Sequence, residues 1–181
     1  IPVRLYGQLA PVEELRAGLA GSGVRIVEDA AQCQGATRYD RTPGSGPDAI
    51  AATSFYPGKN LGAYGDAGAV LTDDEDLART VRTLASHGGL TKYAHDLVGM
   101  NSRLDTLQAV VLRAKLRRLP EWNAARRAAA AYYDKLLGGV DDVATPNVLP
   151  GDEHVLCLIH IRRCRRSALC RSRWGALLLK K

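Results

Sequence analysis

Val24-Arg25-Ile26-Val27-Glu28-Asp29-Ala30-Ala31-Gln32 is a compact, mostly apolar strand that runs directly into two carboxylates. In α/β proteins ligands bind outside the carboxyl ends of the strands, so a buried strand ending on acidic residues marks a candidate site. The flanking segments have the alternation such a sheet requires. Residues 1–6 read as a short strand ended by Gly7, and residues 12–20 as a helix between Pro11 and Gly21. Residues 38–48, carrying Pro43, Gly44, Gly46 and Pro47, read as loop. Residues 49–55 and 67–72 follow as strands, and residues 74–86 as a helix whose acidic start suits its dipole. Strand, helix and strand in this order imply an α/β fold with a mostly parallel sheet flanked by helices.

Two longer helices come next. Residues 103–118 place Leu104, Leu107, Val111 and Ala114 on one face. Pro120 breaks that helix and serves as the first-turn proline of another, which runs to about Leu137 and ends at Gly138-Gly139. Residues 1–140 are therefore expected to form one domain and residues 141–155, with Pro146 and Pro150, a linker.

The chain has 181 residues, enough for one domain with a sizeable core, and its 46% hydrophobic and 24% charged residues are those of a globular protein. No apolar run is long enough to span a bilayer, so no membrane partner is expected. The opening Ile1-Pro2-Val3-Arg4-Leu5 lacks the pattern of a signal peptide, and a cytoplasmic location is expected. The net charge of +6 is confined to residues 156–181, which hold eight Lys or Arg and no Asp or Glu. With those eight set aside, the 25 basic residues fall to 17 against 19 acidic ones. A basic tail can contact phosphates, but this one has a single tryptophan and no stacking or helical pattern, so no nucleic-acid partner is expected. Cys157, Cys164 and Cys170 lie near His154 and His160 without a C-x-x-C spacing, so no metal site is expected, and a cytoplasmic chain is not expected to form disulfides. Residues 156–181 have neither a 3.6 nor a 2.0 period. They are expected to be an unpatterned, non-native tail from a shifted reading frame, not folded onto the body.

Three stretches carry chemistry. In the first, Asp29 at the strand end could stand beside the ring nitrogen of pyridoxal phosphate, where a negative charge keeps that nitrogen protonated and the ring electron-accepting. Gln32 could reach the ring's phenolic oxygen. The same residues also suit a plain acidic pair capping a following helix. The second stretch is Ser54-Phe55-Tyr56-Pro57-Gly58-Lys59-Asn60-Leu61-Gly62-Ala63-Tyr64-Gly65-Asp66-Ala67-Gly68. A lysine in a glycine-rich turn between strands can bond to a cofactor aldehyde as a neutral amine, and Ser54 could donate to its phosphate. An ordinary surface turn with a solvated lysine fits equally. The third is Gly99-Met100-Asn101-Ser102-Arg103-Leu104-Asp105-Thr106-Leu107-Gln108-Ala109, a helix start with Ser102 as a candidate N-cap.

The three stretches, in this order and separation, resemble the sugar aminotransferases of the DegT/StrS group, which are fold type I pyridoxal-phosphate enzymes. The resemblance runs from Ile1 to about Val155. It implies part of the large domain of that fold, with Asp29 at the ring nitrogen, Gln32 at the phenolic oxygen, Ser54 at the phosphate and Lys59 as the lysine that joins the cofactor. It also implies that Asn101 reaches the phosphate held by a neighbouring subunit, hence a homodimer. His87-Gly88, Lys92-Tyr93 and His95-Asp96 match the family pattern too, and substrate contacts from this loop are possible by that match. Gln34 stands where many members have histidine. The family's chain begins well before Ile1, with a phosphate loop and an aromatic ring that stacks on the cofactor, and continues past Val155 into a small domain. The chain is therefore expected to be a fragment that by itself holds the cofactor weakly or not at all. The implied reaction is transamination of a keto-sugar, commonly nucleotide-linked, with glutamate as the expected amino donor, in deoxyamino-sugar synthesis for an antibiotic or a surface polysaccharide. A non-catalytic remnant is the alternative, and a sugar dehydratase of the same fold a weaker one, because dehydratases commonly replace the lysine with histidine.

Overall fold

The computed structural model describes residues 1–156 apart from Pro47 and Asp142, so the readings made on residues 157–181 fall outside the described residues. Helix α1 is Val12–Gly18, and the strand after it is β1 (Val27–Asp29), which starts three residues later than the apolar run from Val24 implied and takes in both carboxylates. A two-residue strand β2 (Thr37–Arg38) precedes β3 (Ile50–Ser54) and β4 (Gly68–Leu71). β1 runs parallel to β3, and β3 pairs antiparallel with β4, giving the order β1-β3-β4. The strand expected over residues 1–6 is reduced to one parallel bridge. Val3 pairs with Asp29, whose carbonyl and amide bond Arg4 and Pro2 at 2.9 Å, before Leu5–Gly7 curl into a 3-10 turn. Both Tyr6 and Gly7 have positive φ there, which no strand accommodates.

Helix α2 (Glu75–Ala85) starts where Asp74 Oδ1 accepts from the Leu77 amide at 2.9 Å, as its acidic start implied. Helix α3 (Thr106–Leu116) begins later than the pattern suggested: Asp105, not Ser102, is the residue before its first turn. Helix α4 (Leu119–Leu137) carries Pro120 in its first turn and ends at Gly138, as expected. The expected inward face of α3 is also shifted. Leu112 is its buried residue, whereas Leu104 is 42% and Leu107 79% exposed. A single face was read where the helix has two apolar sides, one against its own chain and one outward.

Two clusters form the core. Leu9, Ala30, Cys33, Ala36, Ala51 and Val155 pack under the parallel strands. Leu61, Ala63, Leu112 and Leu119, with Phe55 and Ala67 against them, join α3 and α4 to the segment after β3. Residues 141–155 are not wholly linker, because β5 (Asp152–Glu153) pairs antiparallel with β2 and the next two residues, His154 and Val155, are buried. Arg38 explains this pairing. It is buried, and its guanidinium binds Glu13 at 2.7 Å, Asp152 at 3.1 Å and the Pro150 carbonyl at 2.8 Å.

A second buried pair braces β1. Arg4 Nε donates to Glu28 Oε2 at 2.6 Å, with both side chains no more than 5% exposed. Arg4→Leu leaves Glu28 buried without a counter-charge, and the expected loss in urea unfolding is about 3–5 kcal/mol. A loss below about 1 kcal/mol, the scale of an exposed pair, would show that water reaches Glu28.

His154 makes stability depend on pH. Burial lowers its pKa, against the opposing pull of Asp152, and the Leu156 amide donates to Nδ1 at 2.8 Å, which requires the neutral ring. The folded state thus takes up this proton less readily than the unfolded chain. Its contribution is complete above the ordinary value of about 6.5 and is lost as pH falls through the lower folded value. Glu13 adds a similar loss at more acid pH: burial raises its pKa, but its own backbone hydrogen bond and Arg38 outweigh that and hold it below the usual carboxylate range. His154→Asn, which keeps an acceptor near Nδ1, is expected to flatten the stability profile just below about pH 6.5 while leaving the more acid loss. An unchanged profile in thermal unfolding against pH would refute the assignment.

Candidate active site

Asp29 and Ser54 leave the sheet at the same edge. β1 and β3 are parallel with Asp29 opposite Ala52, the Ala30 amide bonds the Ala52 carbonyl at 2.8 Å, and Thr53 Oγ1 donates to the Ala30 carbonyl at 2.9 Å. Successive strand residues face opposite ways, which separates the two carboxylates. Glu28 turns to Arg4, whereas Asp29 Oδ1 accepts from the Ala31 amide at 3.1 Å. The helix-capping alternative fails because turns, not a helix, follow Asp29.

The segment after β3 is a closed loop. Its neck is held by Phe55 donating to the Ala67 carbonyl at 2.8 Å and Ala63 to the Phe55 carbonyl at 2.7 Å. Lys59 lies on a turn, its amide bonded to the Tyr56 carbonyl at 2.9 Å. Gly62 is required for closure, because any Cβ there would collide with the Pro57 carbonyl. Helix α3 fastens the far side: Lys115 Nζ donates to the Gly62 carbonyl at 2.6 Å, and the Tyr64 amide to Gln108 Oε1 at 2.8 Å. Gln108 and Lys115 were not singled out in the sequence, since 44 and 53 residues separate them from their partners.

The reactive ends of four of the expected residues are unengaged among the described residues. Lys59 is half-buried, and Nζ makes no ion pair or hydrogen bond. Asp29 keeps Oδ2 open. Gln32 Oε1 accepts from the Tyr6 amide at 2.8 Å, which leaves its NH2 free to donate. Ser54 Oγ accepts from the Tyr56 amide at 3.2 Å and retains its hydroxyl proton. Asn101 is elsewhere. It bridges Ser86 beyond the end of α2, is exposed, and accepts from Arg103 Nε at 3.1 Å, with no hydrogen bond to the other four. In the neighbouring loop His95 Nδ1 lies 2.9 Å from the His87 carbonyl. No helix among the described residues is long and apolar enough to cross a membrane.

Comparison with known proteins bears on the family and the fold. A transaminase for dTDP-3-amino-3,4,6-trideoxy-alpha-D-glucose from Streptomyces venezuelae is 46% identical over 169 residues, 93% of this chain and 44% of that protein. The crystal structure of S. venezuelae DesV in complex with a ketimine intermediate matches with a TM-score of 0.81 at 46% identity, over 85% of this chain and 41% of that one. The Bacillus subtilis protein NtdA, crystallised with bound cofactor PMP, matches with a TM-score of 0.74 at 30% identity, over 85% of this chain and 35% of that one. The chain thus spans less than half the length of these relatives. Their α/β architecture, that of fold type I, is the one the described residues form in part. The DegT/DnrJ/EryC1/StrS aminotransferase family matches residues 1–177, beyond the point near Val155 where the motifs run out. The matched span covers most of the chain and all of its candidate site, and the chain belongs to that aminotransferase family.

Proposed function

We propose that this chain is the lysine-bearing part of a pyridoxal-phosphate-dependent aminotransferase that acts on a nucleotide-linked keto-sugar. The observation that supports the reading is the set of four unengaged groups on the ends of the parallel strands β1 and β3 and on the segments that follow them: an amine, an open carboxylate oxygen, an amide NH2 and a hydroxyl. That set fits the cofactor's aldehyde, ring nitrogen, phenolic oxygen and phosphate in turn. Pyridoxal phosphate supplies, when bound, a ring that accepts the electron pair released at an amine-bearing carbon. Asp29 would hold the proton on the ring nitrogen, Gln32 would donate to the phenolic oxygen and Ser54 to the phosphate. Lys59 would join the aldehyde, and its free amine would serve as the general acid and base of the proton transfer. The Gly62 closure and the two bonds from α3 keep Lys59 on a rigid loop, which such proton transfer requires.

Glutamate is the proposed amino donor, as the family resemblance implies, and deoxyamino-sugar synthesis is the proposed setting, on the strength of the S. venezuelae relative's dTDP-linked sugar. A homodimer is proposed as well. Val98, Met100, Leu107 and Val110, close to Asn101 in the chain, are all exposed, and apolar side chains there suit a second copy.

The test supplies pyridoxal phosphate, glutamate and a panel of dTDP- and UDP-linked 3-keto-hexoses, and follows the aminated sugar by mass spectrometry. Glutamate-dependent transfer to at least one is expected. No transfer to any of them, with the cofactor demonstrably held at Lys59, would overturn the sugar assignment.

A further inference from the structure

The buried side chain of Gln34 bonds both the end of β3 and the turn that follows β1, yet it has no role in the reading above. Its Nε2 donates to Thr53 Oγ1 at 2.7 Å and the Ser54 carbonyl at 2.8 Å, and lies 3.3 Å from the Ala31 carbonyl. One amide group therefore ties the turn between Asp29 and Gln32 to the end of β3. The backbone carbonyl of Gln34 does the complementary task. It accepts from Asn60 Nδ2 at 2.6 Å, on the residue next to Lys59, and from Asn123 Nδ2 of α4 at 3.1 Å. Gly35 has φ +83°, and a Cβ there would come within 2.6 Å of Asn123 Nδ2, so a bare backbone admits the α4 contact. Gln34 Oε1 and Asn60 Oδ1 are buried without a partner among the described residues. Leaving buried amide oxygens unpaired costs free energy, so the donors on the same side chains must be held firmly enough to offset it.

We propose that Gln34 is the positioning residue of the site, setting Lys59 relative to Asp29 and Ser54 through its side-chain bonds to residues 31, 53 and 54 and its carbonyl bond to Asn60. It touches no reacting atom and acts through the loop. The proposal rests on the assignment of Lys59 and Asp29 above, but its first test needs no cofactor. A neutral amide suits the position because its donors meet three oxygen acceptors. Glutamate there would oppose a carboxylate to those oxygens. Histidine places a ring N–H the same number of bonds from Cα and keeps one of the contacts.

The test compares the full chain with Gln34→Leu, which fills the space without bonding, Gln34→His, and Asn60→Ser, which cuts only the tether to the loop. Amide hydrogen exchange without cofactor is the first readout. Gln34→Leu and Asn60→Ser are expected to speed exchange over residues 56–62 by at least about tenfold while leaving residues 27–29 and 51–52 near wild type, with Gln34→His between. A merely structural role would instead speed exchange evenly across the sheet. The second readout is borohydride fixation of added pyridoxal phosphate, mapped by mass spectrometry as the preference for Lys59 over Lys92, Lys115 and Lys135. That preference is expected to fall in Gln34→Leu and Asn60→Ser and to recover in part in Gln34→His. Unchanged loop exchange in Asn60→Ser, or an even rise throughout the sheet, overturns the positioning role, and Asn60→Ser settles this even if Gln34→Leu does not fold. Failure of the wild-type chain to favour Lys59 counts against the proposed function instead, and the exchange arm decides the positioning role independently.

Discussion

Lys59→Ala is expected to lower aminotransferase activity of the protein that carries this chain by at least about 10³-fold, and to abolish borohydride fixation of the cofactor, because both functions of the lysine are lost together. Stability is expected to stay within about 0.5 kcal/mol of wild type, since Nζ bonds to nothing among the described residues and truncation leaves no polar group unpaired. Lys59→Arg separates charge from chemistry. Arginine keeps the positive charge but cannot shed its proton near neutral pH, so it cannot bond to an aldehyde, and it is expected to be as inactive as alanine. If positive charge alone served the site, Lys59→Arg would retain most of the activity. A rival lysine on the same loop's far side, Lys115, is already held by the Gly62 carbonyl and lies over the Tyr64 ring, 4.8 Å from its centroid. Cofactor fixed at Lys115 in wild-type protein would show that the wrong amine had been assigned.

What could be read from the sequence followed the range of the forces involved. β1, β3, β4 and the helices are set by apolar period and by local caps such as Asp74, all visible within about a dozen residues. The errors lie where distant partners decide. β2 and β5 are two residues each and exist because Arg38 joins chain segments more than a hundred residues apart. No period betrays such a pair. Residues 1–6 looked like a strand, but positive φ at Tyr6 and Gly7 ends it after one bridge. α3 was read with one apolar face because periodicity reports that a face is apolar, not what covers it. At the candidate site, the strand-end position of Asp29 was legible from the strand pattern alone. The role of Lys59 was not, since a glycine-rich turn with a lysine is ordinary by composition, and only the family resemblance singled it out. Gln34 drew notice only as a departure from that resemblance. Its bonds to Thr53, Ser54 and Asn60 span 19 to 26 residues and follow from the register of β1 on β3.

A mixture of two inactive variants is expected to regain activity if the site is shared between subunits as proposed. Asn101 is exposed, bonds to none of the other four site residues, and is flanked in the chain by the exposed Val98, Met100 and Leu107, which a second copy would cover. Its Oδ1 already accepts from Arg103, which leaves its NH2 to donate outward, as a neighbour's phosphate would require. Asn101→Asp replaces that donor by a carboxylate, and like-charge repulsion with the phosphate is expected to leave the homodimer nearly inactive. Lys59→Ala gives the second inactive parent. In a mixed dimer, one site receives both lesions and the other neither. Free exchange makes about half of the dimers mixed, each with one intact site of two, so activity is expected to recover to roughly a quarter of wild type. If Asn101 instead served its own subunit, every site would keep one lesion and nothing would be regained. Exchange must be measured separately, by energy transfer between labelled subunits. A mixture that has exchanged fully and remains as inactive as its parents rules out the shared site, and Asn101 would then have to act within its own chain, from a position that now shows no bond to Lys59, Ser54, Gln32 or Asp29.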